Sequence, residues 1–197
     1  MDEIIIIYIN LEKRSDRREQ IENELRGFEL QYHRFEAIYD SSGIVGCTKS
    51  HLAVLKLAKE RGWKSVLIME DDFTFLVTRK EFEKEIEQLN TENYDVCMLA
   101  YRLLESEDIK CDFLQKVVSA QTASAYIVRE HYYDSLIQCF EEALVRLVQT
   151  GEHWNFANDQ YWKGLQKTDN WVCTKTRIGK QRPGYSDNSN AYTDYEC

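Results

Sequence analysis

Glu70, Asp71 and Asp72 follow directly on the apolar run Val66 to Met69, and these three successive carboxylates are the residues best placed to do chemistry. A buried strand has to stop where such charges begin, because an unpaired buried carboxylate is very costly. They therefore belong at a strand's C-terminal edge, where open α/β sheets bind ligands. Side chains alternate along a strand, so Glu70 and Asp72 are expected on one face, about 6.6 Å apart along the chain. Two oxygen-rich groups on one side suit a hard divalent cation and the phosphates it carries. A solvated acidic turn after a core strand would show the same residues.

Two basic clusters could meet an anion. Arg14, Arg17 and Arg18 lie at the turn after the first apolar run, where a phosphate could be bound. Arginines near a helix start oppose the macrodipole, which disfavours a purely solvated role. Lys175, Arg177, Lys180 and Arg182 read equally as a charged sheet edge or as a clamp for a diphosphate. Cys47 and His51 stand near a helix start, where a hydrogen-bonded structural role is the simpler reading. Asp159 opens a short helix among Trp154, Tyr161 and Trp162. A carboxylate there is good helix chemistry in itself. With aromatic neighbours it also suits a sugar, although Trp162 could equally be core.

The elements that must hold these groups follow from hydrophobic period. Ile4 to Ile9 is β-branched and apolar throughout, a strand buried on both faces. Ser15 is expected to cap a helix carrying Ile21, Leu25 and Phe28. Tyr32 to Ile38 reads as a strand and Asp40 to Gly46 as a flexible loop. A helix with Leu52, Leu55 and Ala58 inward ends at Gly62, before the strand Val66 to Glu70. Thr78 and Glu81 form a capping box for a helix with Phe82, Ile86 and Leu89. Asp95 to Ala100 is a strand, residues 103 to 116 show no period, and Val117 to Val128 holds one or two strands. A long amphipathic helix spans Tyr133 to Val148. Asn158 caps a short helix, Trp171 to Thr174 is a late strand, and the tail from about 184 to 197 is polar. Alternating strands and helices predict one α/β domain over residues 1 to 197 with a mixed, mostly parallel central sheet flanked by helices.

Composition narrows the partners. The chain's 25 Lys and Arg against 34 Asp and Glu leave a net charge of −9. That argues against a nucleic-acid or anionic-membrane partner held by bulk charge, while a metal-nucleotide ligand needs only a local basic patch. Six scattered cysteines show no metal-type spacing and read as free thiols of a reducing compartment; an even number also permits three disulfides. The apolar start, Ile4 to Tyr8, is too short for a signal peptide or a membrane span, so a soluble, cytoplasmic chain is expected.

Taken in order, these segments resemble glycosyltransferase family 25, whose members include bacterial lipooligosaccharide galactosyltransferases and collagen hydroxylysine galactosyltransferases. The resemblance rests on Tyr8-Ile9-Asn10-Leu11 with Arg14 and Asp16-Arg17-Arg18, on Gly46-Cys47 with Ser50-His51-Leu52, and on Glu70-Asp71-Asp72. It continues through Thr122-Ala123 and Ala125-Tyr126-Ile127-Val128, Asp159, and Gln181 with Ser186-Asp187. The family's Pro-Val before the aspartate is Ala157-Asn158 here, and residues 103 to 116 match nothing.

The resemblance implies a GT-A (Rossmann-like) fold and a hexosyltransferase taking galactose or glucose from a UDP-sugar. It implies a manganese (or magnesium) ion, a glycan or glycoprotein acceptor that includes collagen-like chains, and inversion at the anomeric carbon. By the same resemblance Asp72 is the prime metal ligand, with Glu70 and Asp187. Asn10, Arg14, Arg17, Glu70 and Asp71 bind the nucleotide-sugar, and Asp159 is the base. Two alternatives stand beside it. One is a non-catalytic sugar- or nucleotide-binding relative, and the other is a GT-A-fold nucleotidyltransferase, which the glycine-free turn from Asn10 to Arg18 disfavours.

Overall fold

The computed structural model describes residues 4–186 and 191–194. Its centre is a six-stranded sheet in the order β2-β1-β3-β6-β5-β7. β1 (Ile4–Asn10) lies between β2 (His33–Glu36) and β3 (Ser65–Glu70), parallel to both. β6 (Leu114–Arg129) runs antiparallel to β3 and to β5 (Val96–Asp108), and β7 (Trp171–Thr174) lies parallel to β5. Every strand of this sheet but β6 thus points the same way, which is the mixed, mostly parallel α/β sheet that the alternating pattern predicts.

The central strands are apolar throughout because both faces are covered. α1 (Ser15–Gly27) and α3 (Arg79–Leu89) bury Ile21, Leu25, Phe82 and Leu89 on one face, with Tyr8, Leu67 and Met69 of the sheet. α2 (Gly43–Arg61) and α4 (Tyr133–Thr150) bury Leu52, Leu55, Leu136 and Phe140 on the other, with Ile7, Ile9 and Ile68. β1 leads through α1 to β2 on one flank, and the chain returns through α2 to β3 on the other. The strand order reverses at β1, and the crevice beyond the C-terminal ends of β1 and β3 is where such sheets take ligands.

Two helix ends match the sequence. Gly62 closes α2 at φ 63, and Thr78 with Glu81 makes the capping box of α3. Four expectations need correction. Ser15 is the first helical residue of α1, not its cap, as Asn158 is of the short helix Asn158–Tyr161, and neither flanking residue, Arg14 or Ala157, makes a side-chain capping bond. The loop expected at 40–46 is already helical from Gly43. Residues 103 to 116, without period in the sequence, carry the end of β5 and the start of β6; residues 104–110 are all exposed, so no buried face imposes alternation there.

Four short strands form two further pairs. β4 (Phe73–Phe75) pairs antiparallel with β8 (Gly179–Gln181), and β9 (Gly184–Ser186) with β10 (Ala191–Thr193), inside the tail that the sequence left unpatterned. Gly179 is required by close approach. A Cβ there would lie 2.1 Å from the buried Phe73 ring and 2.7 Å from the Thr74 carbonyl oxygen. Gly179→Ala is therefore expected to destabilise by about 1–3 kcal/mol through overpacking. Urea denaturation checks it, and an unchanged midpoint would mean that β8 does not sit on Phe73. Between α4 and β7 the chain forms α5 (His153–Phe156), α6 (Asn158–Tyr161) and α7 (Lys163–Thr168). Among the described residues no helix is long and apolar enough to cross a membrane. The described cysteines, Cys47, Cys97, Cys111, Cys139 and Cys173, are free thiols.

Candidate functional site

β3 ends at Glu70, and Asp71 and Asp72 form the turn into β4. The expected sharing of one strand face by Glu70 and Asp72 therefore does not hold: the chain turns between them. Glu70 lies against α2, where its Oε1 is 3.2 Å from His51 Nε2 and 3.4 Å from Cys47 Sγ. Asp71 and Asp72 face α1. Arg17 Nη1 bridges them, 3.0 Å from Asp71 Oδ1 and 2.8 Å from Asp72 Oδ2, and its Nη2 donates to the Tyr185 carbonyl at 2.7 Å. The C-terminal strands clasp the same turn: Gln181 Nε2 donates to Asp72 Oδ2 at 3.0 Å, and the Arg182 amide to the Asp72 carbonyl.

Electrostatics sort the three carboxyls. Burial pushes Asp72 up to about 7, the charge of Glu70 adds to it, and Arg17 and Gln181 only partly oppose. Asp71 is raised by burial too, against Arg17 and Asn10. Burial raises the half-buried Glu70 too, but the hydrogen bond and charge of His51, with help from Cys47 and Arg17, outweigh that and hold it below the usual range. Asp72 Oδ1 is buried with no hydrogen-bond partner among the described residues. Such an orphaned oxygen is the exception in folded chains.

These groups line a cleft of ≈ 1000 Å³, at the upper end of the range for small-molecule sites. The first turn of α2 forms part of it, held close by Gly46, where a Cβ would lie 2.7 Å from the Ile38 carbonyl oxygen. Asp159 lines it from α6. Its Oδ2 accepts the Thr122 amide at 3.1 Å, and burial raises its pKa against that bond, with Glu70 adding to the rise. Thr122 has φ 81, rare for a β-branched residue. It sits in a bulge between the pairs Ala100↔Ala125 and Arg102↔Gln121, where Tyr101 of β5 stands against Thr122, Ala123 and Ser124 of β6. That bulge turns Gln121, Thr122 and Ala123 into the cleft.

Several predicted residues lie elsewhere. Asn10 does not line the cleft: it is 1% exposed, donates to Asp71 Oδ2 at 2.7 Å and accepts from Arg34 Nε at 3.1 Å, so it positions Asp71. Arg14 reaches the cleft wall while forming a two-pronged pair with Asp16. Arg18 pairs with Glu22, and Arg182 is spent on Gln20 and Glu24 of α1, which leaves the second basic cluster outside the cleft. Trp162 is core, donating to the Ala120 carbonyl, and Tyr161 bonds Glu142; of the three aromatics near Asp159 only Trp154, 61% exposed, lines the cleft. Asp187 lies outside the described residues. Arg102, Gln121 and Lys13 line the cleft without having been singled out. Arg102 sits at the start of the hairpin that has no period, so no sequence signal marked it.

Arg17 is the cation on which this arrangement depends. Arg17→Ala is expected to destabilise the fold increasingly as pH rises, because Asp71 and Asp72 then ionise without a counter-charge. Thermal melts at pH 5 and pH 8 test this, and equal losses at both would refute it.

No protein-family model matches this chain, and no curated protein matches its sequence. Solved structures do match. The chain is similar to a glycosyltransferase involved in the glycosylation of the major capsid of PBCV-1, with TM-score 0.52 and 9% identity, over 86% of this chain and 80% of that one. It is also similar to mannose-1-phosphate geranyltransferase from Thermus thermophilus (TM-score 0.49, 8% identity, 92% and 75% covered). A third is A197 from STIV (TM-score 0.46, 13% identity, 87% and 81% covered). The first of these shows a likeness of fold to a glycosyltransferase.

Proposed function

We propose that this chain, built on a glycosyltransferase-like fold, transfers a hexose, galactose or glucose, from a UDP-sugar to a hydroxyl of a glycan or glycoprotein, with inversion and with a divalent cation. The family 25 resemblance is part of this reading, as is a cytoplasmic setting. The observation that carries it is the buried Asp71–Asp72 turn, clamped by Arg17 at the C-terminal edge of β3 and open to a cleft of ≈ 1000 Å³.

The residues present fit a hard cation. Asp72 offers a buried oxygen with no partner among the described residues, on a carboxyl whose ionisation its surroundings resist. The cleft wall carries Asp40, Glu70, Asp71, Asp72 and Asp159 against Lys13, Arg14, Arg17 and Arg102. Asp71 and Asp72, when ionised, would repel a bare diphosphate, which is why the reading takes a diphosphate that brings a cation. Asp72 would hold that ion, which when bound stabilises the negative charge left on UDP as the sugar departs. Arg17 and Arg14 add positive charge at the same end of the cleft.

Asp159 would take the acceptor hydroxyl's proton. Its raised pKa makes it a stronger base than a solvated carboxylate, and the Thr122 amide fixes its orientation. The exposed Trp154 ring beside it offers an apolar face for a sugar to stack on. Titration calorimetry with UDP-galactose and UDP-glucose, each with and without manganese, tests the reading. Binding that requires the metal supports it, and absence of binding to either donor under both conditions rejects it. Arg17→Ala should then cost about 1.5–3 kcal/mol of donor binding, the worth of a charge-assisted contact.

A further inference from the structure

Cys47 and His51, which the transfer reading does not use, form a second constellation with Glu70. Cys47 and His51 are four apart on α2 and so share one helix face. Glu70 reaches them from the end of β3. One potential ligand atom from each lies within 4.8 Å of the other two.

We propose that these three residues form a zinc site. A tetrahedral zinc ion, with bonds of about 2.3 Å to sulfur and about 2.0–2.1 Å to nitrogen and oxygen, separates its ligand atoms by about 3.3–3.6 Å. Glu70 Oε1 already stands at that spacing, 3.4 Å from Cys47 Sγ and 3.2 Å from His51 Nε2, while Cys47 Sγ and His51 Nε2, within 4.8 Å of each other, must draw closer to complete the triangle. The donor types are right as well: thiolate and imidazole select zinc over magnesium or manganese. The outer support is in place, since His51 Nδ1 is 2.8 Å from Tyr126 Oη in the core. With its other nitrogen on the metal, His51 donates Nδ1–H to Tyr126, the usual way a ligating imidazole is oriented. Coordination replaces the two hydrogen bonds to Glu70 and releases the Cys47 thiol proton to solvent. All three ligands line the cleft, which leaves a fourth position for an oxygen of water or of a bound ligand. The site needs no nucleotide and does not rest on the transferase reading. It gives Glu70 Oε1 a role other than a donor contact.

Cobalt(II) is the probe, as a coloured substitute for zinc. The full-length chain, stripped with a chelator, is expected to take up one equivalent of cobalt, with a thiolate-to-metal charge-transfer band and the visible bands of a tetrahedral ion, both displaced by zinc. Cys47→Ser should remove the charge-transfer band, while Cys111→Ser and Asp72→Asn keep it. Tyr126→Phe, which keeps the ring, should weaken zinc binding about 10- to 100-fold in competition with a chelating dye. X-ray absorption of the zinc-loaded wild type should give one sulfur neighbour, a result that does not depend on any variant folding. No cobalt uptake, no sulfur neighbour, or a band that survives Cys47→Ser would overturn the site. Retention of the band in Asp72→Asn separates it from the manganese site, whose failure would show only in nucleotide binding.

Discussion

Asp159→Asn is expected to bind the donor as the wild type does and to transfer sugar about 10²–10⁴-fold more slowly, the usual worth of a positioned general base. Asparagine keeps the size and can still accept the Thr122 amide, which now anchors Asp159 Oδ2 at 3.1 Å, but it takes no proton. The base must be ionised to work. Because burial raises its pKa, the wild-type rate should fall on the acid side at a pH above the ordinary carboxylate value of 3.8. That limb should vanish from the variant's residual rate. Donor affinity by calorimetry and turnover by product formation separate the outcomes. Lost donor affinity would make Asp159 a sugar ligand, and an unchanged rate would remove it from the site. The product's anomeric configuration is a separate check: retention is incompatible with a single displacement.

Asp72→Asn should do two opposite things, abolishing manganese-dependent UDP binding and stabilising the free protein. In the folded chain Asp72 titrates near 7, against 3.8 for an ordinary aspartate. The native state therefore binds this proton more tightly than the unfolded chain does. The stability it contributes is complete below about pH 4 and is lost as pH rises through about 7. At pH 8 the ionised carboxylate is a burden, at about 1.4 kcal/mol per unit of pKa shift, which the amide does not carry. Melting temperatures should show the variant above the wild type at pH 8 and the two converging toward pH 4. Manganese with UDP should raise the wild-type melting temperature and leave the variant's unchanged. A variant less stable than the wild type at pH 8 would mean that Arg17 and Gln181 compensate the charge fully. One that still binds UDP–manganese would place the cation elsewhere.

The trade between stability and binding explains why the acidic turn was legible in the sequence and its wiring was not. Glu70, Asp71 and Asp72 break an apolar run, and any residue that interrupts a buried strand with charge announces itself. The partners of those carboxylates come from far along the chain: Arg17 from α1, Gln181 from β8, and Cys47 and His51 from α2. Pairing of that kind depends on where the layers set each helix, and local period carries no information about it.

The same division runs through the rest of the molecule. The strands β1, β3 and β7, the helices α2, α3 and α4, and the ends at Gly62 and Thr78 were determined by the sequence itself. Burial on two faces demands continuous apolar strands, amphipathic helices show their period, and caps are set by their own side chains. Tertiary structure alone decided that Glu70 and Asp72 turn away from each other, that Asn10 braces Asp71 rather than lining the cleft, and that Trp162 belongs to the core. It alone placed Arg102 and the strained Thr122 bulge in the cleft wall. Each of these depends on contacts between residues distant in sequence. Only the closing of the sheet and its two helical layers brings such residues within bonding distance.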